Sequence, residues 1–228
     1  MKYLLLFPAF LLLLSCKNDS RKGDANSKTS ISDESQESLK SDGSAAFQEY
    51  SNATFHFGLR FPENYKIAES RLSENVPVIN VFSSQLSQNP PFGIHEDHSL
   101  GYISVLPKGF GVDGPFGKQM SFKEWNKYLP LSFNIDREKS MVYFLENGQP
   151  WAFGLYFYTP PKNWQDFGMI FVQFKVNNFE SKCFNSKGEP KPMQNCDPMG
   201  IHADTIKYFG KVDPESKEAL QRILRSLY

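Results

Sequence analysis

Apolar side chains recur along this chain with two different spacings. Phe55, Phe57, Leu59 and Phe61 alternate with His56, Gly58 and Arg60, the two-residue repeat of a strand buried on one face. Residues 65–72, 76–84 and 100–106 read as the next strands. Residues 141–146 and 151–158 flank Asn147-Gly148, a pair that tolerates positive φ and predicts a tight hairpin. Residues 167–176 follow as one strand, with Ile170, Val172, Phe174 and Val176 on a shared face. The other spacing is helical. Ser121-Phe122-Lys123-Glu124 matches a capping box, and Phe122, Trp125 and Leu129 make an apolar stripe that Pro130 ends. Asp213 then caps a C-terminal helix with Pro214 at its first position and Leu220, Ile223, Leu224 and Leu227 on its apolar face. Antiparallel strands followed by an amphipathic helix predict an α+β domain, an antiparallel sheet with helices packed on its faces.

The first 46 residues follow neither spacing. Lys2 precedes an apolar run from Tyr3 to Leu14, interrupted only by Pro8, as in a secretory signal peptide. At about 12 residues the run falls short of the roughly 20 a helix needs to cross a bilayer. Between Lys17 and Ala46 only Ile31 and Leu39 are large and apolar, too few to offset the entropy of ordering, so this stretch reads as a disordered tether. Thirty flexible residues reach roughly 30 Å root-mean-square.

Leu13-Leu14-Ser15-Cys16 resembles the lipobox read by the bacterial lipoprotein signal peptidase. The resemblance implies cleavage before Cys16 and acylation of its thiol, with residues 1–15 removed, 16–46 as lipidated tether and 47–228 as the domain. Read without it, the same run is an ordinary secretory leader followed by an incidental cysteine. The opening Phe55-His56-Phe57-Gly58-Leu59-Arg60-Phe61-Pro62-Glu63-Asn64-Tyr65 and the closing Ala219-Leu220-Gln221-Arg222-Ile223-Leu224-Arg225-Ser226-Leu227 are similar to the ends of PsbP/DcrB-like domains. That family implies an α/β/α sandwich used for assembly, binding and accessory roles, and it brings no catalytic motif. Lys17-Asn18-Asp19 lacks an aspartate directly after the cysteine, which points toward the outer membrane.

With Cys16 acylated, two of the three cysteines remain, Cys183 and Cys196. They read as a disulfide in an oxidising compartment or as two free buried thiols. Gly188, Pro190 and Pro192 between them predict irregular structure there. The 25 Lys and Arg balance the 25 Asp and Glu, so no basic excess favours nucleic acid. The 21 phenylalanines suit an aromatic-rich sheet core.

Candidate chemistry is sparse. His95-Glu96-Asp97-His98 gathers imidazoles and carboxylates suited to a divalent metal. A zincin helix needs its histidines four apart, however, and Pro90-Pro91 and Gly93 predict a solvated loop. Gly109-Phe110-Gly111-Val112-Asp113-Gly114 satisfies a dinucleotide fingerprint, but Pro115 follows where the helix must open. His56 and His202 read as surface histidines. No catalytic residue, metal or cofactor is expected. The chain reads as an envelope lipoprotein that binds or helps assemble an envelope protein partner through loops at 90–98 and 110–116. The alternative is a metal-dependent hydrolase centred on His95, Asp97 and His98.

Overall fold

The computed structural model describes residues 46–53, 56–73, 76–84, 100–109, 114–158, 167–201 and 203–228, all within one compact unit, Gly43–Tyr228. In chain order the strands are β1 (Phe47–Asn52), β2 (Phe57–Pro62), β3 (Tyr65–Ser73), β4 (Val76–Ser83), β5 (Tyr102–Pro107) and β6 (Gln119–Ser121). Helix α1 (Phe122–Trp125) precedes β7 (Met141–Phe144), β8 (Pro150–Tyr156), β9 (Phe167–Gln173), β10 (Val176–Phe184), β11 (Pro190–Lys191), β12 (Thr205–Val212) and α2 (Pro214–Ser226).

Seven strands form one antiparallel sheet in the order β3-β4-β5-β9-β8-β7-β6, while β11-β10-β12 and β1-β2 make two smaller antiparallel sheets. Register assigns the faces. Ile79↔Val105, Val81↔Ile103, Ile103↔Val172 and Phe153↔Val172 place an apolar row on one face. The other face carries Phe82↔Tyr102, Asn80↔Ser104 and Ser104↔Phe171. Residues on both faces are buried: Val81, Ile103, Val172 and Phe153 are no more than 1% exposed, and so are Asn80, Ser104 and Phe171. The polar pair on the second face is satisfied internally, with Ser104 Oγ donating to Asn80 Oδ1 at 2.6 Å. That bond lets two polar side chains stay out of water at low cost.

The α+β expectation, with helices covering the sheet as in an α/β/α sandwich, is overturned. Twelve strands and only two α-helices are described, and the molecule is β-rich. The first helix is a single turn. Its capping box forms as predicted, Ser121 Oγ accepting from Glu124 N–H and Glu124 Oε2 accepting from Ser121 N–H. Asn126 then turns left-handed at φ 47° and donates its N–H to Phe122 O, stopping the helix four residues before Pro130. Leu129 reaches the core from an irregular segment instead.

Much of the covering layer is made of strands. Trp151 at the start of β8 packs against Phe179 of β10 and Tyr208 of β12, with ring centroids 5.9 and 5.5 Å apart. Phe57 of β2 meets Phe167 of β9 edge-on at 5.6 Å. Helix α2 lies on β2, burying Leu220, Ile223 and Leu224. After the helix, Gly58 and Tyr228 exchange both backbone hydrogen bonds, so the chain's last residue is paired to β2.

Two further readings are corrected. Residues 167–176 are not one strand, because β9 ends at Gln173 and β10 begins at Val176. Between them Phe174 N–H donates to Trp151 O and Lys175 N–H to Ser216 Oγ, where the chain passes from the large sheet to the small one. The Asn147-Gly148 turn is present, but only Gly148 takes positive φ (81°). Asn147 acts through its side chain, accepting from Gln149 N–H and donating to Gly210 O, so the turn also clamps β12.

Candidate functional site

Among the described residues, two adjoining recesses beside α2 form a groove. The first, about 210 Å³, lies between Asn64, Tyr65 and Ser83 on one side and Lys175, Asp213 and Ser216 on the other. The second, about 450 Å³, runs between Phe47 and Pro62 of the hairpin strands and Glu218 and Arg222 of α2. Asn64, Glu215 and Ala219 line both.

Each wall follows from a local rule. Asp213 lies just before the helix, where its Oδ1 accepts from Ser216 N–H at 2.8 Å and its Oδ2 accepts from Asn177 Nδ2 at 3.0 Å. Such a cap satisfies amides that a helix leaves open at its first turn. Partial burial works to raise the Asp213 pKa. The bonds from Ser216 and Asn177, with the charge of Lys175, outweigh it and hold the carboxyl below its ordinary value. Ser216 is buried, takes the Lys175 N–H at 3.1 Å and bonds the Tyr65 hydroxyl. Burial raises the Tyr65 pKa, the Ser216 bond works against it, and the Asp213 charge adds to it. A Cβ on Gly101 would stand 2.3 Å from Ser216 Oγ; only glycine lets β5 begin this close to the helix.

The groove is lined by apolar Phe47, Pro62, Tyr65 and Ala219 and by charged Lys175, Glu215, Glu218 and Arg222. Arg222 and Glu218 are ion-paired across one helical turn. A mixed lining of this kind suits an extended polypeptide whose side chains alternate between apolar and polar partners.

The residues singled out from sequence are not gathered here. Cys183 and Cys196 are joined by a disulfide, with an S–S distance of 2.03 Å and Cα atoms 5.9 Å apart. Their segment is more ordered than its prolines predict. Strand β11 pairs Lys191 with Cys183 and Pro190 with Phe184, and Asn185 Oδ1 closes the turn by accepting from Lys187 and Glu189 N–H. Asp204 lies beside the disulfide; one carboxylate oxygen of Asp204 and the two sulfurs lie within 4.8 Å of one another. The sulfurs are held by their mutual bond, and the Asp204 carboxylate pairs with Lys191.

His56 is exposed, at φ 50°. Cys16, His95, Asp97, His98 and His202 lie outside the described residues, as do the loop at 90–98 and positions 110–113 of the loop at 110–116. In the remainder of the latter loop, Gly114 lies against the Tyr143 ring of β7. A backbone hydrogen bond from Phe116 reaches Tyr208, whose pKa burial pushes up to about 12. Among the described residues no helix is long and apolar enough to cross a membrane.

Sequence reasoning missed the groove, because Asn64, Lys175 and Ser216 are far apart in the chain and carry no shared motif. It also missed Met199 and Ile201, which stand 82% and 95% exposed on the segment after Cys196. Their signal was available as two large apolar residues in a Pro/Gly-rich stretch that no periodicity claims. Comparison with protein-family models, with curated proteins and with solved structures finds no match to this chain.

Proposed function

We propose that the chain is the precursor of an envelope lipoprotein, anchored through acylated Cys16, whose domain binds an envelope protein partner without catalysis. The groove beside α2 supports the binding half of this reading: a lining of both apolar and charged side chains, with Arg222 and Glu218 ion-paired, offers recognition of a polypeptide segment. The apolar run before Cys16 and the polar stretch after it support the anchoring half, and a lipid address in the envelope brings the groove close to other envelope proteins.

Crosslinking in intact cells of the native host, followed by affinity capture of the full chain, tests the binding half. A specific crosslinked protein that disappears with Ala219→Arg, which fills the junction of the two recesses, is the expected result. The same crosslinks from wild type and variant would remove the groove from the reading. Intact-mass measurement of the mature chain tests the anchoring half: fatty acid on an N-terminal Cys16 is expected, and a mature form starting elsewhere sinks it.

A further inference from the structure

Lys123, Lys139, Lys182, Lys191 and Lys207 each stand in an ion pair with a carboxylate. Lys211, near the end of β12, and Lys217, in the first turn of α2, join no such pair among the described residues. Both line one recess of about 330 Å³, together with Gln149, Pro150, Val212 and Pro214. The lining contains no carboxylate and shares no residue with the groove on the other side chains of α2. Gln149 Oε1 already accepts from Val212 N–H and from Asn147 Nδ2, both at 3.3 Å. The amide nitrogen is what Gln149 has left to offer a ligand, and it donates. Val212 has given its N–H to that bond, and the two prolines have none. The side chains of the recess therefore present two ammoniums and an amide, all of them donors. The acids adjacent in sequence are engaged elsewhere: Glu146 pairs with Lys207, Asp213 accepts from Ser216 N–H and Asn177, and Glu215 lines the groove. The helix end itself adds little, because Pro214 fills its first position and Asp213 caps it.

We infer that this recess binds a phosphomonoester dianion. Such a group carries acceptor oxygens only and a charge of about −1.5 to −2 at neutral pH, which two ammoniums match. A carboxylate or a phosphodiester carries a single charge and would leave one lysine unanswered. Lysine binds phosphate as a point charge, so the two flexible side chains need no fixed fork geometry. The recess is roomier than a bare phosphate group and accommodates part of the sugar or glycerol that bears it. Both lysines are exposed, so the attraction is screened by salt. The site stands apart from the groove and from the acyl anchor, and neither is needed for it.

Amine acetylation of the full chain in neutral detergent, with each lysine's rate read by peptide mass spectrometry, tests the assignment. Inorganic phosphate, against chloride at equal ionic strength, should slow Lys211 and Lys217 about ten-fold at saturation, because an ammonium held by an anion resists deprotonation and attack. Lys127 and Lys187 are exposed and should react at an unchanged rate. Lys217→Gln should remove the protection at Lys211. The same measurement in phosphatidylcholine vesicles, with and without phosphatidic acid, separates the sources of the group. Protection by inorganic phosphate in detergent supports a soluble phosphomonoester, and protection that appears only with phosphatidic acid supports a lipid headgroup. Equal slowing of all four lysines means a diffuse ion atmosphere and overturns the inference. So do unchanged rates with both probes, protection by phosphatidylcholine alone, or protection of Lys211 that survives Lys217→Gln.

Discussion

The seven-stranded and three-stranded sheets share one chain and are held by different forces. In the large sheet, hydrophobic burial acts on both faces: Ile79, Val81, Ile103, Val105, Ile170 and Val172 are wholly buried on one, and Phe82, Tyr102 and Phe171 are no more than 1% exposed on the other. In the small sheet β10 reads Val-Asn-Asn-Phe-Glu-Ser-Lys-Cys-Phe and buries only its two ends well. It is fastened by other means: a disulfide, the Lys191–Asp204 pair, and the Asn147 side chain bonded to Gly210 O. Even its outer face saves apolar area by stacking, with Lys182 over Phe209 at 5.1 Å and Lys207 over Phe184 at 4.8 Å. Burial is spread over many contacts and fails only globally. Staples are few, and each can be cut alone.

The strongest way to break the comparison is to cut both regions and see which unfolds the other. Phe153 is 1% exposed and touches Trp125 and Phe174 at ring distances of 5.7 and 5.5 Å. Phe153→Ala should cost about 3–5 kcal/mol, measured by urea unfolding, and should lower hydrogen-exchange protection in every strand. Cys183→Ser with Cys196→Ser removes a bridge of sequence separation 13, worth roughly 3 kcal/mol in the chain-entropy model. Its exchange signature should stay within β10, β11 and residues 192–204. Equal loss of protection in both sheets of the disulfide variant would show that the small sheet is not a separate layer of stability.

These forces also explain what the sequence made legible. Strands of the large sheet announce themselves through the two-residue repeat of a buried face, as in Trp151, Phe153 and Leu155 of β8. In β10 the bulge between Asn177 and Glu180 breaks that parity: Val176, Phe179 and Cys183 carry its apolar contacts, and the first two stand three positions apart. No alternation survives to be read. Strand β1 is exposed over most of its length, so its sequence resembles the polar stretch before it. The Ser121–Glu124 capping box, the Asp213 cap and the α2 stripe were readable because they are local. The length of α1 was not, since a left-handed Asn126 outweighed the Phe122–Leu129 stripe. The groove depends on contacts across the whole chain, and its residues carry no local mark.

Asp204→Asn probes a single staple. The carboxylate is fully buried while Lys191 is 29% exposed, so the pair lies between the surface and interior cases. Loss of about 1–2 kcal/mol is expected, with faster exchange at the Asp197 amide that the carboxylate receives. A variant as stable as the wild type would leave the disulfide as the working fastener of that loop.

The smallest effect sharpens the boundary between the two regions, because Asp213 joins α2 to β10 through Asn177. Asp213→Ala should cost about 1 kcal/mol through the lost cap; Asp213→Asn keeps an acceptor and should cost only a few tenths. The difference between wild type and the Asn variant isolates the charge. The folded carboxyl titrates below its ordinary value, so the unfolded chain takes up the proton first as pH falls. The stabilisation from charge is therefore complete above the unfolded pKa of about 3.9 and is lost as pH drops through the lower folded value. Urea midpoints of the two proteins should differ at neutral pH and converge in acid. A gap that stays constant through that window would mean that the carboxylate's charge adds nothing to the cap, and that hydrogen-bond geometry alone holds the helix to the small sheet.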